Sequence, residues 1–517
     1  MRKVKVTPLG RVVLFLLFLG LIGVAVFAGF KTGFIKPSEK KESKPTVQES
    51  KPNDDKVINN NKDVKEKMVI SLDEWIGWKP IVDANGGLTT QPGSIFNELG
   101  LDVELKIIND ATQSSNALIK GDLVGAGYTV NRYSFLYDKF LNANTKVVMP
   151  FVNNYSTGGD GIIAKQEIKS VEDLVGKKVG VPRFSEAQTL VAWLVENSDL
   201  AQNEKDQIMK NLVLFDTPDD AAKAFFAGEL DAAATWQPYL SQAQETTGCH
   251  LLFSTKSAHN LILDGVVFRT DYIEKYPDKV EKFIKGTLLA SDMYATEFKA
   301  IKDSMSLFAT ETDENIAAMT VDGQLATYNN NKELLSGVAQ TVFEDMSNIW
   351  TKLGEKAHPE KASEAFDNRF MENLKSEFET LETKVPVFTA EQKEQVKDVA
   401  PLLDKKATIN FQSNSAVFLD QKAAAEELNE FVKIAKIVNG SIIEISGNIA
   451  SDNDDESGKK LSEQRAKTVA QYMQSQGIDS SRFVIIGNGG SKPVAPNDSE
   501  ENMAKNRRTD IVFKTIE

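Results

Sequence analysis

The stretch that decides the fold is IKSVEDLVGKKVGVPRFSEAQ, residues 168–188. Its short apolar run KKVGVP (177–182) ends at a proline and predicts a strand, and Ser185 is a good N-cap for a helix over 186–197. A second strand of this kind, DAAATW (231–236), follows after another helical stretch. Strands that are separated by helices indicate an α/β fold with largely parallel sheets.

The same alternation of strands and helices extends over residues 68–375. About 300 residues of this kind exceed one ordinary core, so two α/β lobes are predicted. We expect lobe two to span about residues 156–260. The charged, proline-broken stretch 376–401 is expected to connect these lobes to a further unit.

The further unit occupies residues 402–517 and has its own pattern of elements. The predicted elements in chain order are strand 407–412, helix 420–437, strand 441–446, helix 459–476, strand 482–487 and strand 508–514. This βαβαββ order predicts a small α+β domain with its helices packed on one side of a sheet.

The N-terminus carries the strongest topological signal. Residues 12–30 read VVLFLLFLGLIGVAVFAGF, an uncharged run long enough to span a bilayer as one helix. Basic residues within 1–11 predict a cytoplasmic tail, so the bulk of the chain is expected to be extracytoplasmic. The alternative is a cleaved signal peptide. Residues 31–67 are polar and charged, which predicts a disordered linker.

Composition excludes several function classes. The chain of 517 residues has a formal net charge of −14, which gives a nucleic-acid role no electrostatic basis. The single Cys249 can form neither an intrachain disulfide nor a cysteine-based metal site. The three histidines lack metal-ligand spacing, and no phosphate-binding P-loop motif is present. We therefore expect no enzyme activity, no cofactor and no metal.

Three segments of the first unit together resemble a known family. The first is DEWIGW (73–78), and the second is DGIIAK (160–165) followed by the stretch 168–188 quoted above. The third is AFFAGELDAAATWQPYLSQA (224–243) followed by LILDGVVFRTDYIEKYPDKVEKFIKG (261–286). They resemble the periplasmic substrate-binding proteins of ABC importers of the nitrate, sulfonate and taurine type. The resemblance implies a two-lobed clamp that closes on a small solute and presents it to an ABC permease.

Polar and aromatic residues beside the predicted strand ends are the candidate ligand contacts, because ligands in open α/β sheets bind there. The candidates are Trp75, Gly77, Asp160, Ser185, Trp236 and Asp264. Two indole rings beside carboxylates favour a cationic or amine-bearing solute through cation–π contact. A sulfonate-type anion and a pyrimidine-like neutral ring are the alternatives. Each candidate also has an ordinary structural interpretation, such as a core aromatic, a helix cap or a turn carboxylate.

The last unit resembles the C-terminal domain of outer-membrane-protein-A-like proteins. The resemblance rests on LSEQRAKTVA (461–470), the glycine-rich stretch after it, and NRRTDIVF (506–513). It implies non-covalent peptidoglycan binding, in which Arg465 grips a carboxylate. The family's acidic partner is replaced by Ala450, and Asp452 or Asp454 is the candidate substitute.

These patterns predict a membrane-anchored, single-pass solute-binding protein that serves an ABC importer and is tethered to the cell wall. The alternative is a ligand-gated structural or sensory protein that links membrane and peptidoglycan without transport. If the two folded units are independent, removal of residues 402–517 should leave solute affinity intact.

Overall fold

The computed structural model describes residues 66–293, 296–378, 388–396, 399, 401–407, 409–412, 414–451 and 456–515. The predicted membrane anchor at 12–30 lies outside these ranges, as do residues 31–65 of the predicted linker. Within the described ranges, no helix has both the length and the apolar character needed to cross a membrane.

The strands are Met68–Leu72 (β1), Val103–Ile107 (β2), Gly125–Thr129 (β3), Val147–Val148 (β4), Val152–Ser156 (β5), Asp160–Lys165 (β6), Val179–Pro182 (β7), Leu212–Phe215 (β8), Ala232–Trp236 (β9), Cys249–Ser254 (β10), Leu263–Arg269 (β11), Gly323–Leu325 (β12), Leu403–Ala407 (β13), Ile442–Gly447 (β14), Phe483–Gly487 (β15) and Thr509–Lys514 (β16). The α-helices are Lys79–Asn85 (α1), Ile95–Glu98 (α2), Ala111–Lys120 (α3), Val130–Asn142 (α4), Glu186–Asn197 (α5), Gln202–Lys210 (α6), Pro218–Phe226 (α7), Tyr239–Glu245 (α8), Thr270–Lys275 (α9), Pro277–Met293 (α10), Lys299–Ser304 (α11), Asp313–Asp322 (α12), Tyr328–Glu333 (α13), Ala339–Lys352 (α14), Arg369–Phe378 (α15), Ala390–Gln395 (α16), Gln421–Ile437 (α17), Glu456–Ser475 (α18) and Glu500–Asn506 (α19).

The first sheet has the strand order β12–β5–β11–β3–β1–β2, and β4 also pairs with β11. The end of this sheet that is formed by β3, β1 and β2 is parallel, because β1 pairs in parallel with both β2 and β3. The run MVISL of β1 is buried at every position, as expected for a strand that is flanked and covered on both faces. Strand β11 joins the sheet antiparallel to β3 and β5.

The second sheet has the order β10–β6–β9–β7–β8. The strands predicted within 177–182 and 231–236 form its parallel pair β7 and β9, with β8 on the far side of β7. The chain leaves the first sheet after β5 and returns before β11, so residues 157–159 and 255–262 form two crossovers. Two α/β sheets joined in this way confirm the predicted α/β class.

The third sheet has the order β13–β16–β14–β15. Strands β14 and β15 are parallel, whereas β16 runs antiparallel to β13 and β14. Its first strand differs from the prediction, because it covers Leu403–Ala407 and not 407–412. Both ends of β13 are buried against the sheet, and Phe411 forms only an isolated bridge to Phe418.

A short helix also interrupts the predicted βαβαββ order between the last two strands. Ser499 caps this helix, α19, by accepting a hydrogen bond from the backbone N–H of Asn502. The observed order is therefore βαβαβαβ. All three sheets belong to one compact unit.

Candidate functional site

Asp73 lies directly after β1, at the carboxyl end of the parallel strands. Its Oδ1 accepts a hydrogen bond from Nε1 of Trp78 at 2.6 Å, and Trp78 is fully buried. Burial raises the pKa of Asp73, and the nearby Arg132 opposes that rise. Trp78 is thus a packing residue, and it also fixes the orientation of the Asp73 carboxyl.

Arg132 and Glu186 join the layers of the two sheets. Arg132 lies in α4 beside the first sheet, and Glu186 is the first residue of α5 beside the second. Their side chains form an ion pair with 3.1 Å between Nη2 and Oε2. The neighbouring carboxylates, with Glu186 foremost, raise the pKa of Arg132, so the guanidinium stays charged.

Asp264 sits in β11, in register with Thr129 of β3 and Asn154 of β5. Directly opposed residues on neighbouring strands present their side chains on one face of the sheet. Asp264 is only 4% exposed. Burial raises its pKa well above the ordinary value, and the nearby carboxylates, Asp73 first among them, raise it further. Burial therefore favours the protonated form of this carboxyl.

Asp160 begins β6 and stands opposite Trp236 of β9. Burial, with a smaller contribution from Glu186, raises the pKa of Asp160 to about 7. The indole of Trp236 is half-buried, and its Nε1 donates to Oδ1 of Asp219 at 3.3 Å. The antiparallel pairing of β6 and β9 therefore brings together two residues that are 76 positions apart in the printed sequence.

Trp75 is half-buried beside the first crossover. Its Nε1 donates a hydrogen bond to Oδ1 of Asn154 at 2.9 Å. Gly77 makes this contact sterically feasible, because a Cβ at that position would lie 2.2 Å from the Asn154 side chain. Gly77 therefore supports the site through the placement of Asn154.

Ser185 caps α5. Its Oγ donates to the carbonyl of Pro182 at 2.7 Å and accepts from the backbone N–H of Gln188 at 3.2 Å. The preceding Phe184 has a φ of 55°, a strained conformation for a side chain of this size. Its ring stacks on Phe135 of α4 with 5.0 Å between centroids, a second contact between the two layers.

The acidic residues described above form one group. We call Asp73, Asp160, Glu186, Asp264 and Arg132 the cleft cluster. Burial raises the pKa of Asp264, the carboxylates of the cluster raise it further, and Arg132 lowers it. The cluster holds four carboxyl groups and one guanidinium, so it carries an excess of negative charge when its carboxyl groups are ionised.

Two buried hydrogen-bond donors at this site have no partner in the described part of the chain. They are Nε of Arg132 and Nδ2 of Asn154. Buried polar groups are nearly always satisfied, so such donors are candidates for ligand oxygens or water. Among the described residues, no group of three or more His, Cys, Asp or Glu side chains is placed to hold a metal ion.

The structure brings most of the predicted candidates together. Trp75, Asp160, Trp236 and Asp264 lie in or beside the cleft cluster, whereas the hydroxyl of Ser185 is engaged in its helix cap. Their contact with a solute stays a prediction. Sequence reasoning missed Arg132, Glu186 and Asn154. Glu186 stands next to the predicted N-cap, and this adjacency was the one available signal.

Arg465 of α18 lies in the third sheet's unit and is 8% exposed. Its Nε donates to the carbonyl of Ser415 at 3.0 Å, and its guanidinium lies 5.0 Å from the ring centroid of Phe411. Burial and the neighbouring Arg507 lower its pKa. Ala450 is half-buried, and Asp452 and Asp454 lie outside the described residues.

Two family models match the chain. The model described as NMT1/THI5 like matches residues 91–297, and the model described as OmpA family matches residues 410–507. The first range runs from the first sheet through the whole of the second, and the second range covers most of the third sheet's unit.

Curated relatives match parts of the chain. A putative aliphatic sulfonates-binding protein of Bacillus subtilis is 30% identical over 128 residues, which is 24% of this chain and 37% of that protein. Outer membrane protein A of Bordetella avium is 36% identical over 84 residues, 16% of this chain and 43% of that protein. The chain covers between 13% and 52% of the length of the first four relatives.

One of the similar solved structures is the periplasmic aliphatic sulphonate binding protein SsuA from Escherichia coli. It aligns with a TM-score of 0.45 and 17% identity over 58% of this chain and 97% of that chain. The family models and the sheet topology together carry the assignment. The chain combines an NMT1/THI5-like domain, matched over residues 91–297, with a C-terminal OmpA-type domain, matched over residues 410–507.

Proposed function

We propose that this chain is a membrane-anchored, extracytoplasmic solute-binding protein that captures a small molecule for an ABC importer and is tethered to peptidoglycan by its C-terminal domain. The NMT1/THI5-like match and the two-sheet clamp support solute capture. The apolar run at 12–30 supports the anchor. The function requires binding and release without chemical change of the solute, so no catalytic group is needed.

The charge of the cleft cluster favours a cationic solute. Burying a carboxylate is costly unless a counter-charge accompanies it, and Arg132 is one cation among four carboxyl groups. A bound amine or quaternary ammonium supplies the missing positive charge. The half-buried indoles of Trp75 and Trp236 offer faces for such a cation.

A sulfonate is the competing ligand class, because proteins with sulfonate in their names are among the relatives. An anion would have to displace Glu186 from Arg132, and it would oppose the ionisation of the other carboxyl groups of the cleft cluster. Calorimetric titration with matched amines, sulfonates and pyrimidines tests the choice. Binding of a sulfonate together with failure of every amine would contradict the cationic assignment.

The affinity for a cationic solute is expected to rise about tenfold between pH 5.5 and pH 8, as Asp160 ionises. Its pKa of about 7 in the fold exceeds the ordinary 3.8, so at pH 5.5 the carboxyl carries a proton and attracts a cation weakly. Without a ligand, the same shift means that stability contributed by this group is lost as pH rises from about 4 to 7. Titrations of binding against pH measure the first effect.

The variant Asp160→Asn is the control for this pH dependence. It should remove the step near pH 7 and leave any step that belongs to Asp264 at higher pH. Glu186 and Asp322 also raise the pKa of Asp160, whereas a hydrogen bond from Ser156 lowers it. A pH profile that is the same in the variant would show that the titration does not belong to Asp160.

Peptidoglycan tethering is tested at Arg465. Arg465→Ala is expected to reduce sedimentation with purified peptidoglycan at least tenfold, because the guanidinium is the carboxylate-binding group that the OmpA-type match implies. Lys467→Ala is the matched control, since Lys467 lies on the same helix in an exposed ion pair with Glu463. Equal sedimentation of both variants would remove Arg465 from the wall-binding site.

The second candidate function is a ligand-gated link between membrane and wall that does not transport. One structural feature favours it, namely direct hydrogen bonds between the C-terminal unit and the second crossover of the clamp. Solute uptake by cells that carry the intact chain distinguishes the two functions. Transport is supported if deletion of the gene abolishes solute uptake and complementation with the gene restores it.

A further inference from the structure

The second crossover of the clamp caps a helix of the C-terminal unit. The backbone N–H of Asn260 donates to the carbonyl of Ile437 at 3.2 Å, and its Nδ2 donates to the carbonyl of Lys436 at 2.7 Å. These carbonyls end α17, where the last turn of a helix leaves its acceptors without intrahelical partners. Asn260 is 6% exposed, so both bonds are shielded from water.

The loop after α17 approaches the same crossover closely. A Cβ on Gly440 would lie 2.3 Å from the carbonyl oxygen of Lys256 and 2.7 Å from Nε2 of His259. Glycine is therefore the residue that permits this approach. His259 is largely buried there, and burial lowers its pKa, so it favours the neutral form beside Arg482.

A second junction connects the C-terminal unit to helices on both sides of the clamp. Helices α5, α14 and α17 line a cavity of about 120 Å³. Helix α5 belongs to the second sheet's layer, and α14 packs on α4 of the first sheet's layer. In this junction Lys352 of α14 pairs with Glu196 of α5. Burial raises the pKa of the half-buried Asp345 of α14, and Lys433 of α17 opposes that rise.

The two layers touch in this arrangement, which we call the closed state. Besides the Arg132–Glu186 ion pair, Nδ2 of Asn131 donates to Oγ1 of Thr189 across the two layers at 3.0 Å. Hinge motion in two-lobed proteins is absorbed by a few residues in the segments that join the lobes. A unit that is bonded to such a segment and to helices of both layers fits the closed clamp better than an open one.

We propose that the C-terminal unit braces the clamp, so that its docking on the second crossover stabilises the closed state. Opening must change the backbone at residues 255–262 or the separation of α5 and α14, and either change breaks contacts with α17. A contact present in one state and absent in the other shifts the equilibrium by its own free energy.

The test measures opening directly and needs no solute. One spin label is placed on each side of the clamp, at Asn116→Cys and Glu229→Cys, in a Cys249→Ser background of the full chain. Pulsed electron resonance then gives the distribution of distances. Asn260→Ala and Gly440→Ala should each raise the ratio of open to closed molecules about tenfold, the effect of losing roughly one hydrogen bond or its equivalent.

Asn429→Ala is the matched control. Asn429 lies on the same helix α17, but it accepts its hydrogen bond from Tyr472 within the C-terminal unit. Hydrogen exchange of α18 verifies that each variant remains folded. If Gly440→Ala does not remain folded, the distances in Asn260→Ala alone decide the test. Unchanged distances in a folded Asn260→Ala protein, or an equal shift in Asn429→Ala, would overturn the brace. Neither result depends on peptidoglycan binding, so the proposed wall tether is judged separately.

Discussion

Asp264→Asn is expected to weaken the binding of a cationic solute about 100-fold, within the 2–5 kcal/mol typical of removing one member of a buried charge pair. The carboxyl is 4% exposed and lies in register with Asn154, whose amide meets the indole of Trp75. A bound cation makes Asp264 ionise, whereas an asparagine at that position cannot offer a negative charge.

The protonation of Asp264 supplies a second measurement. Because burial raises its pKa well above the ordinary value, we expect the ligand-free protein to carry a proton there and to release it when a cation binds. Calorimetry in two buffers of different ionisation enthalpy measures that release. The release should be smaller in Asp264→Asn than in the native protein.

Asp271→Asn is the control for this substitution. Asp271 lies just beyond the opposite end of β11, where it pairs with Arg269 and is partly exposed. Its replacement should leave the affinity unchanged. If Asp264→Asn binds the amine as tightly as the native protein, the cleft cluster is not the ligand site.

Arg482→Ala is expected to destabilise the C-terminal unit by about 3–5 kcal/mol, because it leaves several buried carbonyl acceptors without a hydrogen-bond donor. Arg482 is 3% exposed and donates to the carbonyls of Ala435, Val438 and Ser441. A cation at this place also interacts favourably with the C-terminal end of helix α17. Burial lowers the pKa of Arg482 to about 10, so it remains charged at neutral pH.

Hydrogen exchange of peptides from α17 is the appropriate measurement. All five tryptophans lie between residues 75 and 350, so tryptophan fluorescence reports on the clamp and not on the C-terminal unit. Arg507→Ala is the control, since Arg507 forms an exposed ion pair with Glu500, a kind of pair that contributes at most about 1 kcal/mol. Similar exchange rates in the two variants would contradict the capping role of Arg482.

Local patterns in the chain were sufficient to predict the α/β class and to name candidate contacts beside strand ends. The apolar run that ends at Pro182 and the cap at Ser185 predict β7 and α5 because strand propensity and capping act within a few residues. Trp75, Asp160 and Trp236 stand beside strand ends that such patterns locate. The same reasoning placed the first strand of the C-terminal unit too late, because β13 owes its position to pairing with β16.

By itself, the sequence determined that this protein has two α/β sheets, a C-terminal OmpA-type unit and candidate contacts beside the strand ends. Only the tertiary structure decided that Arg132 and Glu186 pair, because they lie 54 residues apart on helices of different layers. It alone decided that Asn260 of the clamp caps α17, because Asn260 and its hydrogen-bond acceptor Lys436 lie 176 residues apart in the sequence. Contacts of this range depend on how whole layers pack, and no local periodicity or capping pattern encodes them.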